Sequence, residues 1–142
     1  MKRRNNRKAF TLIELLLVVV ILGILATLVV PKFSGRTEQA RISTAKTDVS
    51  NLELAIDSYE IDTGKYPTTN QGLSALVKEP SNVNDWKGPY LKRDVPKDPW
   101  GNAYSYKQPG EHNEYGYDLY SYGPDGRSGT DDDIINWSLE NQ

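Results

Sequence analysis

The sequence predicts an α+β protein: a long N-terminal helix spine, half transmembrane and half amphipathic, carrying a small C-terminal antiparallel sheet and loops. Three observations predict it. Residues 10–30 form an apolar run whose only ionisable side chain is Glu14. Residues 42–59 repeat apolar side chains at helical spacing. From Lys65 onward that period gives way to short aromatic-rich alternations between Gly and Pro turns.

The first half of the spine is the run FTLIELLLVVVILGILATLVV, Phe10 to Val30, 21 residues long. At about 1.5 Å of rise per residue it spans roughly 30 Å, the thickness of a hydrocarbon core. Lys2, Arg3, Arg4, Arg7 and Lys8 precede it with no acidic residue among them. That bias holds the amino end in the cytoplasm and sends the rest of the chain across the membrane. A cleaved secretory signal has an apolar region of about 7–15 residues ending at a small-residue site. This run is longer and ends at Val29-Val30-Pro31-Lys32. A plain anchor fits the length but leaves Glu14 without a reason, and a carboxylate at membrane depth costs about 2.5–3.5 kcal/mol.

The second half resumes beyond Pro31, a residue that cannot donate to the helix and crowds the carbonyl of Thr27; Gly23 is a second weak point. Ile42, Ala45, Val49, Leu52, Ile56 and Tyr59 form one apolar stripe, and Arg41, Lys46, Asp48, Asn51, Glu53 and Asp57 take the other face. Thr63-Gly64 is the expected stop, so one helix is predicted from Phe10 to about Asp62.

In the loop-rich remainder, Tyr66-Pro67-Thr68-Thr69 reads as extended, with Asn70 capping a short helix from Gln71 to Lys78 ahead of Pro80. Two strands are expected at Ala103–Gln108 and Tyr117–Tyr122, joined by a turn around Pro109-Gly110. A third is expected at Ile134–Ser138. Trp86 and Trp100 stand beside Pro/Gly turns, where flat rings cover open loops; packing outweighs a carbohydrate-binding reading.

The chain has 142 residues, enough for one modest domain plus an anchor. Removal of residues 1–9 would leave 12 basic against 19 acidic residues, about −7 net, which excludes a nucleic-acid partner. There are no cysteines, so a small domain outside the cytoplasm needs another staple. The stretch from Tyr122 to Asp133, YGPDGRSGTDDD, offers one. Three consecutive carboxylates plus Asp125 in a Gly-rich turn repel one another unless solvated or neutralised, and Ca²⁺ takes about 6–8 hard oxygens of this kind. The spacing is not that of an EF-hand, and Mg²⁺ tolerates irregular all-protein cages poorly. On composition alone a solvated turn remains the commoner outcome for such a loop.

No arrangement composes an active site. His112, the only histidine, reads as an exposed turn residue in Glu111-His112-Asn113-Glu114, and no nucleophile elbow or phosphate loop is present. A non-enzyme without a small-molecule substrate is expected.

The junction Lys8-Ala9-Phe10-Thr11-Leu12-Ile13-Glu14 resembles the processing signal of type IV pilin-like precursors. The resemblance implies that a prepilin peptidase cuts between Ala9 and Phe10 and N-methylates Phe10; the family pattern has Gly where this chain has Ala9. The new α-amine of Phe10 would then pair with Glu14 of a neighbouring helix, an interaction that rewards correct axial register at low dielectric. The blocks Asp62-Thr63-Gly64-Lys65-Tyr66-Pro67-Thr68, Gln71-Gly72-Leu73, Trp86-Lys87-Gly88-Pro89-Tyr90-Leu91, Pro99-Trp100-Gly101 and Ser121-Tyr122-Gly123-Pro124-Asp125-Gly126, closing on Asp132-Asp133-Ile134, resemble the major pseudopilins of type II secretion systems.

That resemblance implies a structural calcium held by the side chains of Asp125, Asp132 and Asp133 and the carbonyls of Tyr122 and Arg127, with Asp131 outside. It implies four segments: a cytoplasmic leader peptide (1–9, removed), a transmembrane and filament-core helix (10–31), its amphipathic continuation (32–62), and a periplasmic globular domain (63–142) with the calcium loop at 122–133. It implies a homopolymer, a helical filament grown from the bacterial inner membrane into the periplasm. Its partners would be minor pseudopilins, the prepilin peptidase and an inner-membrane assembly platform, and its work the export of folded proteins across the outer membrane. Two alternatives stand beside it. A type IV pilin for adhesion or twitching is opposed by the missing C-terminal cysteine pair and the WKGPYL and GPDG blocks. A membrane-anchored periplasmic calcium-binding protein that never polymerises leaves Glu14 unexplained.

Overall fold

The computed structural model describes residues 10–137, and within them nothing of the side chains of 27–34. The leader, residues 1–9, and the end of the expected third strand at Ser138 lie outside the described residues. The chain divides into two compact units, Met1–Gln39 and Ala40–Gln142, each taken by itself below.

Helix α1 has the bounds Leu12–Thr63, with Pro31 inside it, and ends where Gly64 takes a left-handed φ of 75° and returns its N–H to the Glu60 carbonyl. In the first unit the described helical side chains from Leu12 to Ala26 are all exposed. In the second unit the stripe Ala45, Val49, Leu52, Ile56 and Tyr59 is buried, with Ala55 added and Ile42 half-buried. Each Leu or Ile so buried is worth roughly 1.5–3 kcal/mol.

What covers that stripe is mostly loop. A 3₁₀ helix, Gly72–Leu76, contributes Leu73, Ala75 and Leu76, where the sequence suggested a longer helix from Gln71 to Lys78. The cap also differs from the Asn70 expectation. Thr68 and Gln71 clasp one another, the Thr68 N–H donating to Gln71 Oε1 at 2.8 Å and the Gln71 N–H to Thr68 Oγ1 at 3.3 Å. That reciprocal pair has the logic of a capping box.

The sheet is antiparallel in the order β1-β2-β3, with β1 at Ser105–Lys107, β2 at Asp118–Ser121 and β3 at Ile134–Ile135. Ser105 faces Tyr120, and Ser121 faces Ile134. All three strands are shorter than their sequence patterns; Ala103 forms only an isolated bridge to Lys97. Tyr104, Tyr117, Leu119 and Ile134 complete the core.

Polar ties fix the loops to the helix. Tyr104 donates to Asp48 at 3.0 Å, and Tyr90 and Lys87 both reach Asp62 at 3.1 Å. Burial, then the bond to Asp48, pushes the Tyr104 hydroxyl far above its ordinary value, so it stays a donor. The Trp86 indole donates to the Ala75 carbonyl at 2.9 Å, and its ring lies where a side chain at Gly88 would have to go.

Candidate functional site

At the helix start, Thr11 stands just ahead of α1 and Glu14 three residues on. Glu14 Oε2 accepts both the Thr11 N–H and the Thr11 hydroxyl at 2.9 Å, and Thr11 Oγ1 lies 3.3 Å from the Glu14 N–H. This is a capping box, and it satisfies backbone donors that a helix otherwise leaves bare. The T-x-x-E spacing in Phe10-Thr11-Leu12-Ile13-Glu14 carries the signal, which a reading of Glu14 as a lone charge passes over. Both bonds fall on Oε2, and a carboxylate keeps acceptor capacity on its second oxygen.

Around this cap the surface is wholly apolar. Phe10 is 82 % exposed, Leu12 81 % and Ile13 74 %, and the exposure continues to Leu25. A contiguous apolar face of this size marks a contact with lipid or with other chains. Among the described residues no helix is long and apolar enough to cross a membrane. The side chains described in the run end at Ala26, and those from Thr27 to Val30 lie outside them.

The acidic loop belongs to the second unit. It leaves β2 through Gly123, whose φ is 62° and whose missing side chain leaves room for the carbonyl of Asp132. Its carboxylates are turned inward. Asp125 Oδ1 accepts from the Arg127 N–H at 2.8 Å, Asp132 Oδ2 from the Asp125 N–H at 3.1 Å, and Asp133 Oδ2 from the Gly129 N–H at 2.7 Å.

At the centre is Thr130, which sequence reasoning left out. Its hydroxyl oxygen lies 2.6 Å from Asp132 Oδ1, 3.4 Å from Asp125 Oδ1, 3.5 Å from Asp133 Oδ1 and 3.3 Å from the Arg127 carbonyl. The Thr130 bond, more than that from Asp125, holds the Asp132 carboxyl below its usual range against a smaller cost of desolvation. A hydroxyl has one proton to give, so four acceptors crowd a point that can satisfy one.

No ion-gripping trio of acidic or histidine side chains exists among the described residues. The oxygens at Thr130 are instead a mixed set of carboxylates and a carbonyl. Such hard, flexible oxygen donors fit Ca²⁺ rather than a softer metal. Asp125, Asp132, Asp133 and the Arg127 carbonyl thus each lie within 3.5 Å of the Thr130 hydroxyl; the Tyr122 carbonyl is not among the oxygens there, and the Tyr122 ring packs edge-on to Tyr120. Asp131 makes none of these contacts.

His112 is more than an exposed turn residue. Its ring stacks on Trp137 with centroids 4.1 Å apart, and Nδ1 meets Asp118 Oδ2 at 3.0 Å. Asp118 also accepts from the backbone N–H groups of Glu111, His112 and Asn113. Burial works to raise the Asp118 carboxyl, but these bonds outweigh it and hold it below its usual range. The β1–β2 connection is thus a loop wrapped on one buried acid, which a turn at Pro109-Gly110 does not convey.

Comparison with known proteins fits this arrangement. Residues 4–30 match the prokaryotic N-terminal methylation motif. The fold matches the crystal structure of the major pseudopilin from the type 2 secretion system of enterohaemorrhagic Escherichia coli. That match has a TM-score of 0.65 at 39 % identity, over 75 % of this chain and 91 % of that one. A helix spine with a methylation motif at its head and a small sheet at its end defines the pilin-like class of subunit.

Within that class, residues 32–137 match the type II secretion system (T2SS) protein G family, and the chain belongs to it. It is 48 % identical to the type II secretion system core protein G of Escherichia coli K12, over 98 % of this chain and 97 % of that one. The core protein G of Pseudomonas aeruginosa is 48 % identical over 95 % and 98 %, and that of Vibrio cholerae 47 % over 99 % and 98 %.

Proposed function

We propose that this chain is cut between Ala9 and Phe10, N-methylated at Phe10, and polymerised from the inner membrane into a periplasmic pseudopilus that drives folded proteins across the outer membrane. The observation that carries the reading is the apolar helix start, exposed from Phe10 to Leu25 around one capped carboxylate. Such a surface is stable only in lipid or against like helices, and a filament offers both in turn. Thr11 holds Glu14 along its own helix, and the second oxygen of Glu14 serves the Phe10 amine of a neighbour. The prepilin peptidase, an inner-membrane assembly platform and minor pseudopilins are the partners this cycle requires. The role is structural, not enzymatic.

The acidic loop is proposed to hold one Ca²⁺ through Asp125, Asp132, Asp133 and the Arg127 and Tyr122 carbonyls. The ion supplies the positive charge that one Thr130 proton cannot, and so ties the end of β2 to the segment leading into β3.

Two measurements test the polymer. The intact mass of mature protein should begin at Phe10 with one added methyl group. Glu14→Ala should insert into membranes normally and yield no filaments; filaments at wild-type yield would end the pairing role.

A further inference from the structure

Asp98 is a buried carboxylate, 4 % exposed, that none of the roles above uses. A buried charge is tolerated only when its oxygens are filled. Oδ1 accepts the Asn102 N–H at 2.7 Å and the Trp100 N–H at 3.1 Å, which closes the turn Pro99-Trp100-Gly101. Oδ2 does something the turn does not need: it accepts the Ser121 hydroxyl at 2.6 Å. Ser121 ends β2 and is fully buried.

With its proton committed to a charged acceptor, Ser121 Oγ turns its lone pairs to the Gly123 N–H, 3.2 Å away. Gly123 is the residue whose backbone lies against the Asp132 carbonyl. From the same turn, Asn102 Nδ2 comes within 3.9 Å of where a side chain on Gly126 would begin. The turn at 98–102 is therefore tied to the entry of the acidic loop through Ser121, with Asn102 Nδ2 near Gly126.

We propose that Asp98 is a positioning residue for the calcium loop: through Ser121 it fixes the Gly123 backbone, and with it the approach of Asp132 to Asp125 and Asp133. This rests on the calcium reading of the loop. A carboxylate is needed because it can only accept. An amide at 98 could place its NH₂ against Ser121 Oγ, competing with the Gly123 N–H and freeing the hydroxyl proton to point elsewhere. A role confined to the 99–101 turn would use Oδ1 alone, and would alter stability without altering ion affinity.

The test uses full-length protein in detergent micelles. CaCl₂ is titrated by isothermal calorimetry, and thermal unfolding is followed in chelator, for wild type, Ser121→Ala, Asp98→Asn and the double variant. Ser121→Ala should weaken Ca²⁺ binding by about tenfold or more, in the range found for groups that orient metal ligands. Its unfolding in chelator should also fall by several degrees, because the variant leaves Asp98 Oδ2 and the Gly123 N–H without their partner, so the affinity is the reading that decides. The double variant should bind no more weakly than the weaker single variant, because both lie on one path. Ser121→Ala that binds within twofold of wild type overturns the proposal, whatever its stability, and leaves the calcium reading standing. Wild type that takes up no Ca²⁺ overturns the calcium reading and the proposal with it. If Asp98→Asn fails to fold, Ser121→Ala alone decides.

Discussion

The helix start and the acidic loop use the same chemical pair, a threonine hydroxyl against a carboxylate, with opposite outcomes. At Thr11 one proton meets one carboxylate, and the backbone N–H of the same residue completes the bond set on Glu14. At Thr130 one proton meets three carboxylates and a carbonyl. The first arrangement is locally complete, so what remains of Glu14 can be directed outward to another chain. The second is short of donors at its own centre, which is the shortage the proposed ion would make good. Stoichiometry of donors, more than the number of acids, separates the two carboxylate settings, and it is what the proposed docking role of Glu14 and the proposed calcium role of the loop both rest on.

If that contrast holds, chelation should have the largest effect on stability. A ligand that binds only the folded state adds about 2.7 kcal/mol at a hundredfold excess over its dissociation constant. For a domain of this size that is a rise of roughly 10 °C or more in Tm. Scanning calorimetry with CaCl₂ and with chelator measures it, and coincident curves would remove the ion from the account. Asp118→Asn sharpens the contrast from the satisfied side. Asp118 has a full complement of donors and a carboxyl held below the ordinary aspartate value of 3.8. A depressed value stabilises above the unfolded value and is lost as pH falls through the folded one. Wild type should therefore lose stability below about pH 4 more steeply than Asp118→Asn, as read from urea unfolding in chelator between pH 5 and 3. Equal slopes would mean that the bonds on Asp118 do not favour its charged form.

A smaller effect is expected at Thr130. With Thr130→Val the only proton at the crowded point is gone, so protein in chelator should lose stability by about 1 kcal/mol. The CaCl₂-saturated protein should lose less, because the cation then supplies the positive charge. A variant whose stability falls equally in both conditions would show that Thr130 is ordinary packing.

These groupings were unequally legible in the sequence. The buried face of α1 was legible, since Ala45, Val49, Leu52, Ile56 and Tyr59 obey a local period that tertiary contacts do not alter. The carboxylates of the loop were legible as a cluster, but Thr130 was not, because its place among them depends on how the turn folds back. The Thr11 cap was there to be read in four consecutive residues. Strand lengths were not: the alternation around Tyr104 and Tyr117 continues past the three or four residues that pair. Asp98 and Ser121 lie 23 positions apart, and no spacing rule joins them. The aspartate cradle at Asp118 escaped for a different reason. Its partners are backbone N–H groups, which every sequence possesses.

The smallest effect is expected where there is neither proton surplus nor shortage of acids, only a group without a partner. Tyr59 is fully buried in the core, ring edge-on to Tyr90 at 5.7 Å, and its hydroxyl has no hydrogen-bond partner among the described residues. The Thr63 hydroxyl, four residues on, lies 2.9 Å from the Tyr59 carbonyl and 3.0 Å from that of Lys65. An apolar group of the same shape removes the cost of a buried hydroxyl left unpaired. Tyr59→Phe keeps the ring, the edge-on contact and the helix, and removes the orphan oxygen, so Tm should hold or rise by a few degrees. A clear fall in Tm would mean that the hydroxyl is satisfied in solution, by water reaching the helix face. The rule that unpaired groups here are liabilities awaiting a partner would then apply only to the charged ones.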